Sequence, residues 1–339
     1  MRSTKSRSLT EGWPGRLLGL TPLPVPPHAF ALDAHALRYG QLLRQGRGFR
    51  LRAYRELPLP PDAFHGGHLG GPLRDPAGFG ERLAAFIGAL PGPVRAASLV
   101  LPEAWLRVVF SGSGELPRAA EARDEVLRWK LRRLVPFRVD ELRVGAVEVT
   151  PLPGPPEEQS EPRRVLMGFG LEQLLAQVED AFALAGVRIG QITNASLALV
   201  AALEPGDGGD LEALALVEGD GYSLVFTRRG ARGAEPVLHR YKGVTGGLPD
   251  GGRGGLVARD LKLTANFLDE HLGGARLGRV VLVAPPEAEP AWLDRLREGL
   301  GATVQPLDGR HLPPVVAEGE SAPWRTMAPL LGAARREVL

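Results

Sequence analysis

Two stretches of the chain share one outline of apolar and polar positions. In the first, Phe30–Leu32 leads into Asp33, then Leu37–Arg44 turns at Gly46–Gly48 and continues through Phe49–Tyr54. In the second, the β-type runs Leu214–Val217 and Tyr222–Thr227 flank Glu218, Gly219, Asp220 and Gly221. Asp-Gly between such runs predicts a hairpin, because a type I′ turn needs positive φ at both central residues. Each stretch therefore predicts a hairpin with an acidic residue at a strand end. The order hairpin, strand, helix, strand, helix follows in both halves, as a duplicated α/β fold requires, with the hairpins facing each other across a cleft.

Helical periodicity is clear over Phe79–Leu90, Leu171–Ala185 (closed by Gly186), Leu256–Leu272 and Ala291–Leu300. Pro117–Leu134 also reads as a helix, with Pro117 in its first turn and Pro136 stopping it. Shorter helices are predicted at Ala195–Leu203 and Met327–Val338. Strands are predicted at Ala96–Pro102, Trp105–Phe110, Leu142–Val149, Arg164–Phe169, Val187–Ile192, Val237–Val244, Val280–Val283 and Val304–Leu307. Pro151–Pro162 reads as a hairpin tip, and Glu204–Asp210 as a hinge between halves. Residues 1–29 read as a flexible N-terminal extension: basic and Ser-rich, with a small apolar patch at Trp13, Leu17, Leu18 and Leu20, then a proline-rich run.

Composition narrows the chemistry. The absence of cysteine among 339 residues excludes disulfides, thiolate metal sites and thiol nucleophiles. The net charge is only +2, and positive charge is almost all arginine. No run approaches the roughly 20 apolar residues of a membrane helix, so a cytoplasmic protein is expected. His65 and His68 have a metal-like spacing but no further ligand nearby. Ser196 and the other serines lack a nucleophile elbow. The loops at Ser111–Gly114 and Gly251–Gly255 lack a phosphate-loop ending. Arg128, Arg132, Arg133, Arg138 and Arg143 form a basic band without interleaved aromatics, which argues against nucleic acid and for a solvated face or an acidic or lipid contact.

The segment EVLRWKLRRLVPFRVDELRVGAVEV, residues 125–149, carries a helix ending in Val135-Pro136-Phe137, then Asp140, Glu141 and a strand. It resembles a motif of the PilM family of type IV pilus assembly proteins. The next stretch, VLMGFGLEQLLAQVEDAFALAGVRIGQITNASLALVAAL, is similar in its order of strand, helix, Ala-Gly, strand and helix. The resemblance implies an actin-like (ribonuclease H-like) two-domain fold related to FtsA and to the cytoplasmic part of GspL, with an inserted subdomain. On that basis the first domain takes residues 30–97 and 187–205, the insertion 98–186, and the second domain 211–339. It also implies a scaffold that binds the N-terminal cytoplasmic tail of a PilN-like single-pass membrane protein, and so reaches the inner membrane indirectly. Phe137, Asp140 and Glu141 are then the candidate partner-binding residues.

The fold's nucleotide chemistry needs residues that can be checked singly. The first phosphate hairpin of such proteins has glycine and hydroxyl residues after its Asp; here Asp33 and Arg38 remain, but Ala34, His35 and Ala36 stand between and beside them. In the second, Glu218 takes the place of Asp, Gly219 and Gly221 remain, and Asp220 adds negative charge where phosphate should lie. The adenosine loop has Ala284, Pro285 and Pro286 where glycines are expected, and proline removes a backbone donor. A pseudo-ATPase with no cofactor is the expectation. The alternative is an active Mg-ATP-dependent ATPase or sugar-kinase-type enzyme.

Overall fold

A computed structural model describes residues 26–113, 116–149, 163–206, 208–219, 221–230, 233–243, 254–272, 275–318 and 323–335. The described chain opens with β1 (His28–Leu32), β2 (Ala36–Gln45) and β3 (Gly48–Pro58). Helix α1 (Pro76–Gly88) and β4 (Ala96–Leu101) follow. Next come β5 (Leu106–Ser113), α2 (Ala120–Arg132), β6 (Leu142–Val149) and β7 (Arg163–Leu171), then α3 (Glu172–Leu184), β8 (Arg188–Asn194) and α4 (Ala195–Ala202). The second half holds β9 (Leu211–Glu218), β10 (Gly221–Gly230), β11 (Gly233–Gly243), α5 (Gly254–His271), β12 (Leu277–Val283), α6 (Glu289–Leu300) and β13 (Thr303–Pro306). The described chain closes with β14 (Val315–Ala317) and α7 (Trp324–Ala334).

The duplication is visible in the sheets. One runs β3-β2-β1-β4-β8 and the other β11-β10-β9-β12-β13. In each, the first three strands are antiparallel neighbours and the last two lie parallel to the first. The first sheet gains β14, parallel to β3. A third, antiparallel sheet, β5-β7-β6, forms the insertion.

Local chemistry sets the helices. Asp75 caps α1 by accepting the Gly78 N–H, Pro76 sits in the first turn, and Phe79, Leu83 and Ile87 are buried along one face. Helix α3 buries Leu174, Leu175, Val178, Ala181 and Phe182, and Gly186 follows it at φ 78°, where only glycine is unstrained. Helix α4 has almost no amphipathic pattern because it is covered on nearly every side. Its residues join a core containing Ala29 and Leu51 from the first sheet and Leu214 and Val225 from the second. Arg335 donates to the carbonyls of Ala201, Ala202 and Leu203, capping the C-terminus of α4.

Several boundaries differ from those the sequence predicts. Helix α2 begins at Ala120 with Ala119 as its cap, so Pro117 lies ahead of it rather than in its first turn. Gly254 and Gly255 open α5 rather than belonging to a loop; residues 251–253, the Pro151–Pro162 tip and most of the 1–29 extension lie outside the described residues. Strand β4 belongs to the first sheet, and α3, though tied to β6 by the pairs of Arg143 with Glu172 and Glu179, packs on α1 in the first core, so neither is a strand of the inserted sheet or packed only on it despite falling within 98–186. Likewise β14 and α7, expected with the second half, return to the first sheet.

Helices α4 and α7 cross with their backbones almost touching: a side chain on Gly332 would run into the Ala198 carbonyl. Gly332→Ala should therefore destabilise the protein by about 1–3 kcal/mol through overpacking. At Gly88, in the last turn of α1, a Cβ would meet open space, and Gly88→Ala should gain up to about 1 kcal/mol. Chemical denaturation of the two variants checks both signs.

Candidate functional site

The two hairpins do meet across a cleft, of about 470 Å³. The β1–β2 turn supplies Asp33, His35 and Arg38, the end of β9 supplies Glu218, and the chain after β12 supplies Ala284, Pro285 and Pro286. Helix α7 adds Arg325 and Thr326. The polar groups of the hairpins are already engaged. One oxygen of Asp33 accepts the N–H groups of His35 (2.7 Å) and Ala36 (2.9 Å), and the other is paired with Arg38. Arg38 also faces Glu56 at 3.3 Å. Glu218 accepts the backbone N–H of Glu103 at 3.0 Å.

Glu103 is the hub behind this cleft. It follows β4, is wholly buried, and joins both halves. Its carboxylate accepts the Ser196 N–H (2.8 Å) from α4, the Ser223 hydroxyl (3.0 Å) from β10, and lies 3.0 Å from His239 Nε2 on β11. Burial acts to raise the Glu103 pKa, but the His239 hydrogen bond and charge and the Ser196 donors outweigh it, so the carboxyl sits below the usual carboxylate value. Ser196 Oγ also approaches His239 Nε2, at 3.2 Å. Serine and carboxylate thus share one ring nitrogen, while Nδ1 has no partner among the described residues. A nucleophilic relay would use both nitrogens and an accessible hydroxyl; Ser196 is fully buried. The cluster is a clamp, not a catalytic triad.

A second cavity, a groove of about 450 Å³, lies on the other side of the α4 N-terminus. One wall is the inner face of the inserted sheet, with Leu106, Val108, Leu166 and Gly168; β6 adds Arg143 to Val147. The opposite wall is β8, from Gln191 to Asn194, with Leu175 and Leu197. Strand β8 is the outer strand of its sheet, so one row of its backbone groups faces away from the ladder. Asn194 caps α4 by accepting the Leu197 N–H at 3.0 Å. Cleft and groove are thus neighbours: Ala195 lines one, Asn194 and Leu197 the other.

No protein-family model matches the sequence, and no curated protein matches it. Among solved structures, the chain superposes on one from a PilM–PilN type IV pilus biogenesis complex with a TM-score of 0.64, at 17% identity, over 91% of this chain and 96% of that one. The chain shares the fold of that structure, which is actin-like. Looser likenesses include the cytoplasmic domain of EpsL, an inner membrane component of the type II secretion system of Vibrio cholerae. There the TM-score is 0.44 and the identity 12%, over 91% of this chain and 93% of that one. The ethanolamine utilization protein EutJ from Carboxydothermus hydrogenoformans gives 0.43 at 13% identity, over 93% and 91%.

Within this frame the predicted site residues fall into three groups. Asp33, Arg38 and Glu218 line the cleft. Gly219 follows Glu218 at the turn, Asp220 lies outside the described residues, and Gly221 is pressed against the Lys242 carbonyl and the Tyr241 ring. Phe137, Asp140 and Glu141 do not line the groove. Phe137 packs on Phe169 and under the Arg107 guanidinium, which also lies 4.5 Å from the Tyr241 ring. Asp140 and Glu141 form exposed pairs with Arg132 and Arg138, both at 2.9 Å. The arginine band is likewise largely engaged: Arg128 with Asp124, Arg143 with Glu172 and Glu179, and Arg133 over the Trp129 ring. His65 and His68 sit on the loop before α1, where the His68 carbonyl accepts from Arg107. Sequence reasoning missed Glu103 and His239; the one local sign is a lone acid directly after an apolar strand, at Leu101-Pro102-Glu103.

Glu103→Ala would leave His239, Ser196 and Ser223 buried with unmet partners, at a cost of about 3–5 kcal/mol. Because the folded pKa of Glu103 is depressed, the charged carboxylate stabilises fully above its ordinary value of 4.5 and is lost as pH falls below it. Urea unfolding of wild type and Glu103→Gln should therefore differ at neutral pH and converge as the pH drops below that value.

Proposed function

We propose that this protein is the cytoplasmic scaffold of a type IV pilus or related type II secretion assembly at the inner membrane. In this reading it holds the N-terminal cytoplasmic tail of a PilN-like single-pass membrane protein. The observation that carries the reading is the groove: among the described residues β8 has no strand on its outer side, and it faces an apolar wall from the inserted sheet. An extended peptide can pair its backbone with such an edge and place alternate side chains in the pockets beside it. That a similar fold comes from a PilM–PilN complex supports the same occupant. Among the described residues no helix is long and apolar enough to cross a membrane, so attachment through a tail suits the chain.

The cleft supports a pseudo-ATPase. Asp33 is held by its own turn and Arg38, Glu218 by the backbone of Glu103, and Pro285 and Pro286 present no N–H groups to a phosphate or base. Three carboxylates, Asp33, Glu218 and Glu287, outnumber the two arginines, Arg38 and Arg325, that line the cavity, so its net charge does not favour a polyphosphate. Titration with Mg-ATP in a calorimeter should give no binding in the micromolar range; micromolar affinity would restore the enzyme reading.

Gly168 lies on the groove wall, and its missing Cβ leaves room there, with its nearest neighbour, Val108, at 3.9 Å. Gly168→Leu should fill that room and weaken binding of a labelled tail peptide by about tenfold or more, with circular dichroism unchanged. Asp140 and Glu141 stand just before the stretch of β6 that lines the groove, where a basic flank of the tail would meet them. Being exposed and already paired, their double alanine variant should cost only about threefold.

A further inference from the structure

The surplus positive charge of this protein is not in the arginine band but on the hairpin of β2 and β3. Between Ala36 and Pro58 there are six arginines and one acid, Glu56. Arg38 and Glu56 pair near the cleft, with Arg55 next to them opposite Tyr39, which leaves Arg44, Arg47, Arg50 and Arg52 toward the tip. Arg44, Arg47, Arg52 and Arg55 are exposed, and only Arg50 reaches an acid, Glu318. With the whole chain at +2 and this hairpin at +5, the rest of the chain carries a slight negative balance, −3. The tip is also remote from the other sites. Strand β2 starts beside the cleft and runs ten residues away from it, roughly 33 Å at about 3.3 Å per residue.

A second observation lies beside it. The Leu42 N–H donates to the Pro27 carbonyl, and His28 pairs with Gln41, so the described chain enters β1 next to the tip-ward half of β2. The sequence before β1 is itself basic, with Arg2, Lys5, Arg7 and Arg16 against Glu11, and carries Trp13, Leu17, Leu18 and Leu20. The folded hairpin and the residues Pro27 and His28, where the described chain enters β1, therefore share one end of the first sheet. The arginines are not interleaved with exposed aromatic rings on which bases could stack, which favours a diffuse anionic surface over nucleic acid.

We propose that the β2–β3 hairpin is a peripheral docking surface for anionic phospholipid headgroups, which orients the protein on the membrane independently of the peptide groove. Guanidinium groups suit this role because each presents several donors to phosphate oxygens and stays charged. The attraction is electrostatic and additive over the basic residues near the surface, so salt must screen it.

The test is flotation of the full chain with vesicles of phosphatidylcholine alone or mixed with phosphatidylglycerol. Wild type should float with the mixed vesicles at low salt, sink at high salt, and ignore phosphatidylcholine. The triple variant Arg44→Glu, Arg47→Glu, Arg52→Glu should weaken binding by about a hundredfold, while Arg82→Glu with Arg188→Glu, exposed elsewhere, should leave it unchanged. Arg44, Arg47 and Arg52 make no ion pair among the described residues, and circular dichroism verifies the fold; the milder Gln triple variant repeats the measurement if the Glu variant misfolds. Changing Arg2, Lys5, Arg7 and Arg16 to Gln should reduce binding but leave it dependent on the hairpin. Equal binding to phosphatidylcholine would overturn the proposal, as would wild-type flotation of the triple variants. So would binding lost to the N-terminal changes alone, or hairpin-dependent retention of double-stranded DNA without flotation. None of these results bears on the tail peptide, whose affinity for the groove is measured without lipid.

Discussion

One buried carboxylate holds the two halves in register. Glu103 leaves the first sheet at the end of β4 and is met by a serine and a histidine from the second sheet and by the first turn of α4. A charge so placed is stable only because three donors meet it, each from a different element. Sliding one sheet past the other would break several of these bonds together while leaving the charge away from water. The apolar core that runs through α4 and α7 between the sheets supplies area; the carboxylate supplies the geometry.

That geometry explains why cleft and groove are neighbours. Helix α4 is the partition between them, and its first turn contributes to both walls. Its lack of amphipathic pattern has the same origin: it meets the first sheet, the second sheet and the inserted sheet within eight residues. Arg107 makes a further bridge, since its guanidinium lies between Phe137 of the insertion and Tyr241 of β11. The inserted sheet is therefore tied to both halves, not only to the one that carries it in sequence.

Much of this architecture is legible in the sequence because it is written in local patterns. The paired hairpins follow from alternation and turn residues, α1 and α3 from periodicity, and the end of α3 from Gly186. What is not legible depends on meetings between distant residues. Glu103 and His239 are 136 positions apart, and nothing beside either marks the other. The groove is made of a sheet edge and the face of another sheet, neither of which is a sequence motif. Asp140 and Glu141 attract notice as acids in a familiar segment, yet their partners Arg132 and Arg138 hold them outside the groove. Strand β14 is three residues long and exists through its pairing with β3. Pro117 misleads in the other direction: a residue suited to a first turn does not oblige the helix to start there.

The insertion enters and leaves through a single rung of its own ladder, where Leu106 lies opposite Gly170. Its two ends are therefore about 5 Å apart, the spacing of adjacent strands. To the rest of the chain, the whole inserted sheet is a loop that has already closed. Lengthening such a loop costs entropy only as the logarithm of its length, so the closure cost borne by the parent sheet changes little with what the rung encloses. A lineage could enlarge, trim or replace the enclosed piece, and with it the groove's outer wall, while the two duplicated sheets kept their order.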